Sequence, residues 1–179
     1  MHASFETAPF HAELADGPEG VHALWLKPGA ARIRLAWWKA GKKGTVFLLP
    51  GRTECIEKYG RAAGDLIARG FSVITIDWRG QGLSDRPLPD PRAGHVGDFA
   101  EYQEDLQAML DEAGRARLPK PYYMLAHSMG GAIGLRALMR GLPFAAAVFS
   151  APMWGIAMAP WLRPVAMAAT ALVGPLRIG

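Results

Sequence analysis

Tyr122-Tyr123-Met124-Leu125-Ala126 runs directly into His127-Ser128-Met129-Gly130-Gly131, an apolar strand signal followed by a serine and then by a helical pattern. A serine at the apex of a strand-to-helix turn can serve as a nucleophile in acyl transfer. The bend brings other backbone very close, so the positions two before and two after the serine must be small, and Ala126 and Gly130 are. Ser128 would also head the following helix. That places the Met129 amide and the helix dipole where negative charge develops in a tetrahedral intermediate. A serine that merely caps a helix fits the same letters, so the strand-to-helix placement carries more weight than the motif.

A second segment points the same way. The apolar run Thr45–Leu49 ends in Pro50-Gly51-Arg52-Thr53-Glu54, a turn that leads into a helical pattern. Gly51 permits the turn, and the amide that follows it, Arg52, is the expected second donor to an oxyanion. An ordinary turn, with Thr53 as helix N-cap and Glu54 and Glu57 favouring the dipole, is compatible with the same residues. The expected catalytic set is therefore Ser128 as nucleophile, with the backbone N–H groups of Arg52 and Met129 as oxyanion hole.

The partners that would activate the serine are not evident. No Asp, Glu or His follows Ser128 in the sequence. His127 adjoins the nucleophile, but its side chain should point away and be packed or hydrogen-bonded. His95 lies in a loop before a helix and reads as surface, and His2, His11 and His22 belong to the N-terminal region. Asp77 reads as a turn-stabilising partner of Arg79. The acid and base of a triad are thus expected outside these 179 residues. Without a base, oxyanion stabilisation and binding leave at most about 10³- to 10⁴-fold over water. A non-catalytic binding module is the alternative if 179 residues is the true length.

The elements that must position these groups alternate in type. After a loop-like first twenty residues, Val21–Leu26 and Arg32–Trp38 read as antiparallel strands joined at Lys27-Pro28-Gly29. Thr45–Leu49, Phe71–Ile76, Pro121–Ala126 and Phe144–Phe149 read as buried strands. Helices are expected from Ile56 to Gly70, from a capping box at Asp98 and Glu101 to about Gly114, and over Met129–Arg140. The fold class is α/β, with a mostly parallel sheet, flanking helices and function at the carboxyl ends of the strands.

Composition excludes several classes. Half of the residues are hydrophobic and 20% charged, which fits a folded domain rather than a disordered or fibrous chain. Cys55 is the single cysteine, so neither a disulfide framework nor a Cys/His metal site is expected. The net charge of +4 is scattered, which disfavours nucleic acid as a partner. Gly80-Gln81-Gly82 lacks the third glycine of a dinucleotide site, and no cofactor is expected. Gly141–Leu162 is uncharged, yet Pro143, Pro152 and Pro160 interrupt it as a membrane span. The N-terminus has no secretory pattern, which makes a cytoplasmic location the expectation.

Taken together, four segments resemble the α/β-hydrolase fold and, within it, the monoacylglycerol lipase and bacterial lysophospholipase group. They are Leu49-Pro50-Gly51-Arg52-Thr53-Glu54 with Tyr59, Ile76-Asp77-Trp78-Arg79-Gly80-Gln81-Gly82-Leu83-Ser84, His127-Ser128-Met129-Gly130-Gly131, and Ser150-Ala151-Pro152-Met153. The chain departs from that group at Ala126, where glycine is usual, and at Pro50, where many relatives carry histidine. The resemblance implies a serine hydrolase acting on lysophospholipid or monoacylglycerol esters, with no metal or cofactor. It further implies that residues 1–152 form the N-terminal part of the hydrolase core, incomplete at its C-terminus, and that 153–179 begin a helical cap. Trp154, Ile156, Met158, Trp161, Leu162, Val165, Met167 and Leu172 would then be apolar cap residues that guide acyl chains or contact a membrane peripherally, at the inner face.

Overall fold

The computed structural model describes residues 6–90, 92–155, 159 and 161–173. Six strands form one sheet: β1 (His22–Leu26), β2 (Ile33–Trp38), β3 (Thr45–Leu49), β4 (Ser72–Asp77), β5 (Tyr122–His127) and β6 (Phe144–Ser150). Their order is β1-β2-β4-β3-β5-β6. β1 and β2 pair antiparallel, as do β2 and β4, whereas β4, β3, β5 and β6 run parallel. β3 lies at the centre and is buried along its whole length, which is why Thr45–Leu49 carries no alternation.

Helices cover both faces. α3 (Glu101–Arg115) and α4 (Met129–Met139) bury Tyr102, Leu106, Met109, Ile133 and Ala137 against Leu35, Phe47, Leu49, Ile74 and Met124. On the opposite face α2 (Gly60–Ala68) packs Ala63 with Trp38, Val46, Leu48 and Val73. Successive residues of β3 and β4 thus point alternately into two cores, and the molecule has three layers. Gly70 ends α2 at φ +93°, the left-handed residue that its position calls for.

Four expectations need correction. The first twenty residues are not merely loop: a single turn, α1 (Ala12–Ala15), forms there, and Thr7 makes an isolated bridge to Leu24. The Pro9 carbonyl accepts from Arg34 and the His11 amide donates to Glu57, which ties this short segment down without an apolar pattern. The helix after β3 opens as a 3₁₀ turn, Ile56–Tyr59, whose N-cap is Cys55 rather than Thr53. The capping box at α3 is half formed: Glu101 accepts from the Asp98 amide, while Asp98 reaches only the Ala100 amide. Finally, β6 is not a buried strand. It is the edge of the described sheet, with only β5 beside it, and Val148 is 61% exposed.

Of the segment from Met153 onward, α5 (Leu162–Val173) is described, and Trp154, Trp161, Val165 and Met167 are each more than half exposed. Ile156 and Met158 lie outside the described residues, as does the side chain of Leu172.

Candidate active site

β5 delivers Ser128 into a bend at φ +48°, ψ −116°, and α4 begins at the next residue. Such a conformation is strained for a residue with a Cβ and persists only where the surroundings enforce it. Small residues and backbone bonds do so here. Ala126 is fully buried, and a Cβ added to Gly130 would lie 2.3 Å from the Leu49 carbonyl oxygen and 2.6 Å from that of Pro50. The Ser128 amide donates to Ser150 O at 3.1 Å, and the Ser128 carbonyl accepts from Gly131 and Met153, each at 2.9 Å. Ser128 occupies the N-cap position, yet its hydroxyl makes no capping bond. A serine retained only to cap a helix would make that bond.

The turn after β3 lies against this bend. A Cβ added to Gly51 would sit 3.1 Å from the Ser128 Cβ and 2.9 Å from Glu54 Oε2, so the turn, Ser128 and Glu54 converge on one point. Among the described residues, the amides of Arg52 and Met129 have no hydrogen-bond partner. The helix dipole of α4 adds partial positive charge at Met129.

The turn is held by side chains from other parts of the chain. Trp78 Nε1 donates to the Pro50 carbonyl at 2.9 Å, and Gln81 Oε1 accepts from the Thr53 amide at 2.6 Å. Asp77 Oδ1 accepts from the Ile56 amide at 2.8 Å. Thr53 itself stands at φ +61°, an unusual backbone for a β-branched residue. Glu54, only 9% exposed, accepts from the Gly51 amide at 2.5 Å and also from Tyr59 Oη and Lys58 Nζ. Burial opposes ionisation of Glu54, but these donors outweigh it and hold the carboxyl below its ordinary pKa. Burial and the Glu54 carboxylate together push the Tyr59 hydroxyl upward.

His127 turns away into a hydrogen bond between Nδ1 and Ser150 O, 3.0 Å, and its Nε2 lies 3.7 Å from Glu54 Oε1. His95 is exposed. The expected pairing of Asp77 with Arg79 is not found. Asp77, fully buried, takes the Arg34 guanidinium at 2.8 Å and also the Leu83 amide. Arg34 continues to Glu57 through two bonds of 2.7 Å. Arg79 instead joins α3, at Asp105, Glu104 and Glu101. Sequence neighbours were the wrong guide because β2 lies beside β4 and presents Arg34 opposite Asp77.

Among the described residues no group of His, Cys, Asp or Glu could hold a metal ion. The arrangement offers one unpaired hydroxyl on a strained bend beside two unpaired amides, a geometry suited to attack on a carbonyl carbon with the oxygen held by N–H donors.

A mixed sheet of this order with helices on both faces is the architecture of the α/β-hydrolases, and the comparisons agree. The family model for serine aminopeptidase, S33, matches residues 40–178, so the chain belongs to that family. It is an α/β-hydrolase similar to lysophospholipases and monoacylglycerol lipases. Lysophospholipase L2 of Escherichia coli (strain K12) is 45% identical over 112 residues, 62% of this chain and 33% of that protein. The chain therefore spans about a third of the length of that relative. The monoacylglycerol lipase of Paleococcus ferrophilus superimposes with a TM-score of 0.63 at 26% identity, covering 82% of this chain and 51% of the other. A soluble variant of the monoglyceride lipase of Saccharomyces cerevisiae gives 0.65 over 93% of this chain and 54% of the other. At 21% identity that last likeness speaks for the fold alone.

Proposed function

We propose that this chain carries the nucleophile and oxyanion hole of a serine hydrolase that cleaves carboxylic esters of lysophospholipids or monoacylglycerols through an acyl-enzyme. The strained, uncapped Ser128 beside the unpaired Arg52 and Met129 amides is the observation that carries this reading. Ser128 Oγ attacks the ester carbonyl carbon and gives its proton to a base. The carbonyl oxygen, now negative, is received by the two amides. When the intermediate collapses, the proton passes to the departing alcohol, and water then releases the fatty acid by the same sequence. The names of the relatives support the substrate class.

The proposal places the triad's acid and base outside these 179 residues, since no Asp, Glu or His follows Ser128. Turnover by the chain alone should accordingly be negligible. In the same reading, residues 1–152 belong to the hydrolase core and 153–179 begin the cap. The exposed Trp154 and Trp161 then serve acyl chains or a membrane surface, and the protein works in the cytoplasm or at the inner face of the membrane. No helix among the described residues is long and apolar enough to cross a membrane.

A fluorophosphonate probe with imidazole as external base tests the assignment by intact mass. Slow formation of a single adduct, accelerated by imidazole and lost in Ser128→Ala, is the expected result. An adduct that survives Ser128→Ala, or none even with imidazole, would overturn it. The latter result would favour a non-catalytic module.

A further inference from the structure

The amides that flank Arg52 are each taken by a side chain. Gly51 N–H donates to Glu54, and Thr53 N–H donates to Gln81. Neither acceptor is free to drift. Gln81 is 2% exposed and comes from the loop after β4, so water scarcely competes for its oxygen. The Glu54 carboxylate is fixed by Tyr59 and Lys58 on the following 3₁₀ turn and faces His127 at 3.7 Å. Directly after the second clamped amide the chain bends through Thr53 at φ +61°, a conformation that a β-branched residue would leave if nothing held it.

We propose that Glu54 and Gln81 are positioning residues of the oxyanion hole: they clamp the amides on either side of Arg52, leaving its N–H between them without a partner and directed toward the carbonyl oxygen of a bound ester. The inference rests on the reading of Ser128 as nucleophile. Its physical content is preorganisation. An oxyanion donor helps the transition state only if its direction is fixed before charge develops, because reorienting it during reaction costs what the hydrogen bond would return. Trp78 and Asp77, which hold Pro50 and Ile56, anchor the ends of the turn, whereas Glu54 and Gln81 set the peptide on each side of the donor. Neither residue is asked to touch substrate.

The test combines amide exchange with the imidazole-assisted fluorophosphonate reaction. In the wild-type chain the Gly51 and Thr53 amides should exchange slowly and that of Arg52 fast. Gln81→Leu and Glu54→Leu should lower the maximal inactivation rate by about tenfold, with the probe's apparent binding constant unchanged, because the donor is misdirected rather than lost. Gln81→Glu, which keeps an acceptor oxygen, should recover most of the rate; a purely structural role would not give that recovery. Wild-type inactivation rates in both leucine variants, with labelling still lost in Ser128→Ala, overturn the inference and leave the nucleophile standing. Loss of the nucleophile itself shows as labelling that does not depend on Ser128. The wild-type exchange pattern requires no variant, and an Arg52 amide as protected as its neighbours overturns the inference even if a substitution unfolds the chain.

Discussion

Two turns meet at Ser128, and they are built by opposite means. The bend after β5 is held from within: Ala126, Gly130 and Gly131 leave room, and its bonds join backbone to backbone, from the Ser128 amide to Ser150 and from the Met153 and Gly131 amides to the Ser128 carbonyl. The turn after β3 is held by side chains that reach its carbonyl and amides, Trp78, Gln81 and Asp77 from outside and Glu54 from its own end. Each forces one residue with a side chain into positive φ, Ser128 at +48° and Thr53 at +61°. Strain in the first is enforced sterically, by what a larger residue would strike. In the second it is enforced by hydrogen bonds, whose strength depends on which groups are ionised. The first should therefore fail when volume is added, and the second when charge or an acceptor is removed.

The sharpest way to break the outer support is Asp77→Ala. It leaves the Arg34 guanidinium with only Glu57 and the Pro9 carbonyl, and it removes the acceptor of the Leu83 amide and of the fully buried Ile56 amide. The loss should be about 4 kcal/mol, visible as a collapse of the denaturant midpoint. A shift of only a few tenths would mean that the ionic cluster is incidental to the turn. The matching change on the inner side is Gly130→Ala. Its new Cβ meets two backbone oxygens at 2.3 and 2.6 Å that no rotamer change can move, and about 3 kcal/mol should be lost.

The same contrast explains what could be read from the sequence. The bend at Ser128 is a local device, written in consecutive residues of fixed size, and its place between a strand and a helix was legible before any coordinates. So were all six strands as elements, because apolar runs such as Thr45–Leu49 and Ser72–Asp77 carry their own boundaries. The supports that reach the other turn from outside were not legible. Gln81 lies 28 residues from Thr53, and Arg34 lies 43 from Asp77, so no window of sequence contains both partners. The misassigned pair Asp77 and Arg79 came from proximity in sequence, whereas strand order decides the partner. β6 misled for a related reason: its composition is that of a covered strand, but burial belongs to its place at the sheet edge. The short N-terminal turn is held by polar contacts to Arg34 and Glu57, which leave no periodic signal.

Relief of strain distinguishes the two turns in the other direction. Ser128→Gly removes the Cβ that makes φ +48° costly while keeping every backbone bond of the bend. After the greater unfolded-state entropy of glycine is set against it, a net gain of about 1 kcal/mol in unfolding free energy remains. The variant should be more stable and should form no Ser128 adduct, the signature of a site that holds its nucleophile under tension. Equal or lower stability would indicate that the bend costs little.

The smallest effect concerns acid. Glu54 has its carboxyl held below the ordinary value, since the bonds from Lys58, Tyr59 and Gly51 outweigh the opposing cost of burial. A group whose folded-state pKa is depressed stabilises fully above its unfolded value, about 4.3 for glutamate, and loses that contribution as pH falls through the lower folded value. The difference in stability between the wild-type chain and Glu54→Gln should therefore be constant from neutral pH down to about 5 and shrink below about 4. Denaturant midpoints taken across that range give the difference directly. The bend at Ser128 contains no ionised support, so the penalty of Gly130→Ala should stay level over the same interval. A Glu54→Gln penalty that also stayed level would place the value of Glu54 in its shape and not in its charge. The two turns would then differ in where their supports come from, but not in what makes them hold.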